Sequence, residues 1–147
     1  MIRVDVRDYT RLKSRTRTAP ARIRKGTDRA LQDAIRPVRR ELAASARSRL
    51  PRRGGLGAWV ADARVGIRKL ERGNAVGVEI EASKGRHDLA AIDAGTTRHP
   101  TWGRKPLHRQ ALQPGYFSDV MSGPVARRAR KAILEELARA MRESGTT

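Results

Sequence analysis

Two changes of hydrophobic period divide this chain and limit what it can fold into. From Thr27 to Leu50 the apolar residues Leu31, Ile35, Val38, Leu42, Ala46 and Leu50 recur every three or four positions. Arg29, Arg36, Arg39, Arg40 and Arg47 fall largely off that stripe, so the segment reads as an amphipathic helix. Thr27 or Asp28 is placed to accept from its first-turn N–H groups, Pro37 is expected to bend it, and Pro51 followed by glycines ends it. Between Ala63 and Ala82 the period falls to two. Ala63, Val65 and Ile67 alternate with charged or small residues, and Val76, Val78 and Ile80 alternate with Gly77, Glu79 and Glu81. Glu71 to Asn74, "ERGN", supplies turn chemistry, which predicts a hairpin with one buried face. The period then returns to four at Val125, Ala129, Ile133, Leu137 and Met141, with Ser122 as a cap and Pro124 at the first helical position.

Helix, hairpin, irregular segment and helix make an α+β domain. The expected architecture is a small antiparallel sheet on which a long N-terminal and a long C-terminal helix lay their stripes, with a long irregular central loop. A chain of 147 residues holds one core of this kind. Two strands alone are marginal, so a third is expected, either from "MIRVDV", where Ile2, Val4 and Val6 alternate, or from residues near Ala111 to Gln113, or else the sheet is completed by a neighbouring chain. The division that follows is a basic arm or edge strand over residues 1–22 and a single α+β domain over 23–145. No cysteine is present, which removes disulfides and cysteine metal sites. No run approaches the length of a membrane span or a signal-peptide core, so the chain is expected to be made in the cytoplasm and to meet no membrane.

The most distinctive stretch is "DLAAIDAGTTRHPTWG", Asp88 to Gly103. Asp88 is placed to cap a short apolar helix containing Leu89, Ala90, Ile92 and Ala94, Gly95 offers a left-handed exit, and "TTRHPTWGRKP" reads as an extended loop. Asp93 is most simply a hydrogen-bond acceptor that pins that loop. Further on comes "QPGYFSDVM", with Pro114, Tyr116 and Phe117. The order of these parts, with a basic helix before and a terminal helix after, resembles the tail-completion family of tailed-phage head–tail neck proteins named after HK-ninety-seven gene product ten. Asp93, Gly95 and Thr96 stand where that family has an acidic-x-Gly-Thr motif, and Pro114, Tyr116 and Phe117 where it has a Pro-aromatic element. Leu89 and Ala94 replace the family's usual aromatics, and the acid is Asp rather than Glu. The resemblance covers roughly residues 22–145.

What the resemblance implies is structural. Such proteins form a ring, expected to be sixfold, in the neck or at the top of the tail, between the connector or stopper and the tail-terminator or tail-tube proteins, and they need no cofactor. The implied location is the virion. On this reading Asp93, Gly95, Thr96, His99, Trp102, Tyr116 and Phe117 are candidate subunit contacts, and Trp59 lies in a second flexible loop that reaches a neighbour. A large rigid ring beside glycine suits docking, because it adds contact area at low entropic cost.

Charge supports a rival. The net charge is +18, and residues 1–53 carry 17 Lys/Arg against 5 Asp/Glu. Arg11, Lys13, Arg15, Arg17, Arg22, Arg24 and Lys25 form a basic arm able to bind nucleic-acid phosphates or an acidic neighbour. Only Tyr9 is there to stack on bases, and no recognition motif accompanies it. Catalytic readings fare worse. His87, His99 and His108 have no spacing to Asp88, Asp93 or Asp119 that sets two metal ligands on one helical face. "RRGGLGAW" lacks the strand-before and helix-after setting of a phosphate loop. Neither a metal site nor an enzyme activity is expected.

Overall fold

A computed structural model of the chain describes residues 2–6, 21–72, 75–85, 87–101 and 104–144. In chain order the elements are β1 (Ile2–Val6), α1 (Ala21–Arg49), α2 (Leu56–Ala61), β2 (Arg64–Arg72), β3 (Ala75–Ser83), α3 (Leu89–Asp93), β4 (Thr96–Thr101), β5 (Arg104–Ala111), α4 (Ser118–Ser122) and α5 (Pro124–Ser144). The fold is α+β, with long helices at both ends of its body and two small antiparallel sheets.

The first sheet has strand order β1-β3-β2. The third strand is therefore "IRVDV", with Ile2 opposite Ala82 and Val6 opposite Val78, and not the segment near Ala111. β2 and β3 pair from Arg64 opposite Ser83 to Arg72 opposite Ala75, as the alternation predicts. Ile80 and Ala82 point into the core. Glu79 departs from the alternation, because on the central strand it too is buried, at a register position between Asp5 and Arg68.

All six apolar positions read from the first helical stripe are buried. The helix itself starts earlier than expected, at Ala21, and continues through Gly26 and Pro37 to Arg49. Thr27 and Asp28 are thus interior residues and do not cap it. One glycine costs a helix about 1 kcal/mol against alanine, which the good helix formers around it in "ARIRKG" outweigh. Arg22 and Arg24 consequently belong to α1 rather than to an arm.

Among the described residues the two long helices pack chiefly against each other. α1 meets β2, where Arg39 Nε donates to Val65 O at 2.9 Å, and it also carries α5, which rests chiefly on α1 and α4. α5 begins at Pro124 as read, but its buried stripe is Ala126, Ala129, Ile133, Leu137 and Ala140, Val125 is only partly covered, and the Met141 side chain lies outside the described ones. Ser122 ends α4 instead of capping α5: its hydroxyl donates to Asp119 O, and its carbonyl accepts from Arg127 Nη1. Arg130 Nη2 donates to Met121 O at 2.6 Å, so two arginines of α5 close the C-terminal carbonyls of the helix before it.

Candidate functional site

The expected central loop folds as a second sheet. Residues 96–101 and 104–111 pair as the β4–β5 hairpin, with Thr96 opposite Ala111 and Pro100 opposite Leu107, and with an irregularity after Pro100. Both strands contain proline, Pro100 and Pro106, which argues against a strand inside a larger sheet. A two-stranded sheet consists entirely of edges. Half of its N–H groups have no ladder partner to lose, and proline fits there.

The base of the hairpin is a dense joint built on α3. Asp88 Oδ1 accepts from Ala90 N at 3.0 Å and Ala91 N at 3.2 Å, the cap read from the sequence, and Leu89 and Ile92 bury the inner face of the helix. Gly95 then leaves in the left-handed conformation at φ 85°. Its carbonyl accepts from Leu112 N at 2.8 Å, which ties the start of β4 to the end of β5. A Cβ on Gly95 would lie 3.0 Å from Leu112 O, so both torsion and space require glycine here.

Asp93 joins the two motifs that carry the resemblance. Its main-chain carbonyl accepts from Gly115 N at 2.8 Å. Its Oδ1 accepts from Phe117 N at 2.7 Å and Ser118 N at 3.2 Å. The carboxylate therefore pins the turn into α4, across 24 residues of sequence, rather than the segment just after Gly95. A second acid closes the same turn from the other side: Asp119 Oδ2 meets Arg49 Nη1 at 2.6 Å, and that nitrogen also reaches Pro114 O at 3.2 Å.

The turn held in this way delivers two aromatics inward. Tyr116 is 3 % exposed and Phe117 0 %. Both are core residues of this chain, which corrects their expected role as subunit contacts; Gly95 is likewise buried inside the joint. The Tyr116 phenol is pushed well above its ordinary range, first by burial and second by the nearby Asp93 carboxylate. Beside it lies a crevice of about 10 Å³ lined by Arg39, Leu42, Ala43, Val60, Val65, Tyr116 and Phe117 among others. That is room for about one water and none for an organic substrate.

Trp59 sits in α2 and not in a flexible loop. Gly57 lets this helix approach α1, since a Cβ there would lie 3.1 Å from Ala46 O. Trp59 is half-buried against the core, with His87 edge-on at 4.7 Å between ring centroids and Lys84 Nζ 5.7 Å from the ring centre. Lys84 Nζ also donates to Asp62 O at 3.1 Å. Sequence reasoning missed this cluster; the only signal was a tryptophan next to a glycine-rich turn, and its partners lie some 25 positions downstream.

The remaining expected contacts divide as follows. Thr96 is half-buried at the start of β4, and His99 occupies the β4 position opposite His108. Trp102, Arg11, Lys13, Arg15 and Arg17 lie outside the described residues, as does Tyr9. Lys25 is exposed on α1. Among the described residues no group of three or more histidines or acids is gathered as a metal site would require, and no helix is long and apolar enough to cross a membrane. No family model, curated protein or solved structure matches this chain.

Proposed function

We propose that this chain is a structural, non-enzymatic protein of a tailed-phage particle, which assembles with copies of itself into a ring at the head–tail junction and joins the capsid connector to the tail. The observation that carries this reading is the Asp93 joint. The acidic-x-Gly-Thr and Pro-aromatic segments, on which the resemblance rests, meet through the Asp93 carboxylate and the N–H groups of Phe117 and Ser118. Three acids around this joint are engaged in holding local geometry: Asp88 caps a helix, Asp93 clasps a turn, and Asp119 pairs with Arg49. That is the chemistry of a rigid scaffold, which a ring component needs. Trp59, with its exposed neighbour His87 and with Lys84, offers a partly exposed aromatic patch for a neighbouring copy.

Quantitative mass spectrometry of purified particles tests the reading against the abundant tail-tube subunit. Recovery at the few copies of a single ring supports it. Absence from particles that contain their other neck proteins overturns it and leaves the rival, a basic nucleic-acid-binding protein.

A further inference from the structure

The β4–β5 hairpin carries a charge pattern that the described residues do not answer. The 25 residues from Ala94 to Ser118 contain no Asp or Glu, but hold Arg98, Arg104, Lys105 and Arg109 together with His99 and His108. Register places Arg98 directly opposite Arg109, and His99 opposite His108. Residues directly opposite on a two-stranded sheet share a face, and like charges in that position destabilise the pair. Arg98, His108, Arg109 and Gln110 are exposed, and neither Arg98 nor Arg109 forms an ion pair among the described residues. The acids that bound the segment are engaged elsewhere, Asp93 on the N–H groups of Phe117 and Ser118, and Asp119 on Arg49. Meanwhile the base of the hairpin is fixed by the Gly95–Leu112 bond and by the joint below it. A like-charged pair therefore sits exposed on a hairpin whose base is fixed.

We propose that this hairpin grips the phosphate backbone of duplex DNA, with Arg98 and Arg109 as its central contacts. A guanidinium offers paired N–H donors in a rigid fork that matches the oxygens of a phosphate, and duplex DNA presents phosphates in closely spaced rows. The interaction carries no sequence preference, because its groups address the backbone alone. It is distinct from the basic arm, and it stands or falls independently of ring assembly.

The test is binding of the full chain to a fluorescent 30-base-pair duplex, followed by anisotropy across a salt series. Arg98→Gln combined with Arg109→Gln is expected to make the log–log salt dependence shallower by about 2, close to one for each phosphate that is no longer neutralised. Arg29→Gln combined with Arg128→Gln removes the same charge from exposed positions on α1 and α5, and is expected to leave the slope near that of the unaltered chain. Arg98→Lys with Arg109→Lys keeps the charge and should retain the slope, which separates the removal of phosphate-binding charge from damage to the hairpin. Equal reductions from the hairpin pair and the helix pair would reduce the effect to net charge and overturn the proposal, as would an unchanged slope in the hairpin pair. Displacement of the duplex by polyglutamate at equal charge concentration would also overturn it, and would assign the hairpin to an acidic protein surface instead.

Discussion

The joint around Asp93 and the hairpin that grows from it are neighbours in sequence and opposites in chemistry. In the joint, charges are answered from within the chain: the Asp93 carboxylate by two N–H groups, Asp119 by Arg49, and the orphan amides of α3 by Asp88. In the hairpin, arginine faces arginine, and the acids that flank it in sequence, Asp93 and Asp119, are engaged with Phe117, Ser118 and Arg49. Where polar groups are satisfied internally, residue choice is explained by the fold. Where like charges are set against one another, as Arg98 and Arg109 are, the described residues supply no such explanation, and the proposed phosphate contact does.

Changes that break the joint should cost the most. Phe117→Ala removes a fully buried ring from the centre of the core and is expected to lower unfolding free energy by about 3–5 kcal/mol in a urea titration. Asp93→Ala leaves the amides of Phe117 and Ser118 without their charged acceptor, at about 2–3 kcal/mol. Asp93→Asn, whose side-chain oxygen still accepts, should recover much of that loss in the same titration. Gly95→Ala forces a side chain into φ 85° against Leu112 O, and about 1–3 kcal/mol is expected.

The joint also predicts a dependence on alkali. Because Tyr116 has its folded-state value raised, its contribution to stability is complete below the ordinary tyrosine range and is lost as pH climbs through and above about 10. Absorbance titration should find one of the two tyrosines ionising only as the protein unfolds, and Tyr9→Phe should leave that transition in place. The smallest effect belongs to the hairpin and has the opposite sign. Arg98→Gln with Arg109→Gln relieves a like-charge pair, so thermal unfolding should shift upward by the equivalent of about 0.2–1 kcal/mol. A loss of stability there would mean that the hairpin's arginines are answered within the chain after all, and the contrast would dissolve.

What could be read in the sequence was whatever depends on local periodicity. The α1 stripe, the β2–β3 alternation, the Asp88 cap, the Gly95 exit and Pro124 at the head of α5 all follow from short-range rules. What escaped depends on partners distant in sequence. Tyr116 and Phe117 carry no periodic signal, and their burial follows from a clasp whose other half lies 24 residues earlier. Glu79 alternates like an outward residue and is covered because its strand is the central one. Prolines hid the hairpin, since a rule that excludes them from wide sheets does not apply to a ribbon made only of edges. Of the expected contact residues, Trp59 keeps a partly exposed ring, and Tyr116 and Phe117 have become core.

The pairing of β1 with β3 has a temporal side. Ile2 lies opposite Ala82, eighty positions further along the chain. At a synthesis rate of roughly 5–20 residues per second, "IRVDV" waits on the order of 4–16 seconds for its partner strand to be made. The β2 and β3 strands are joined by only two residues of sequence, so their closure spans far less chain than the pairing of β1 with β3.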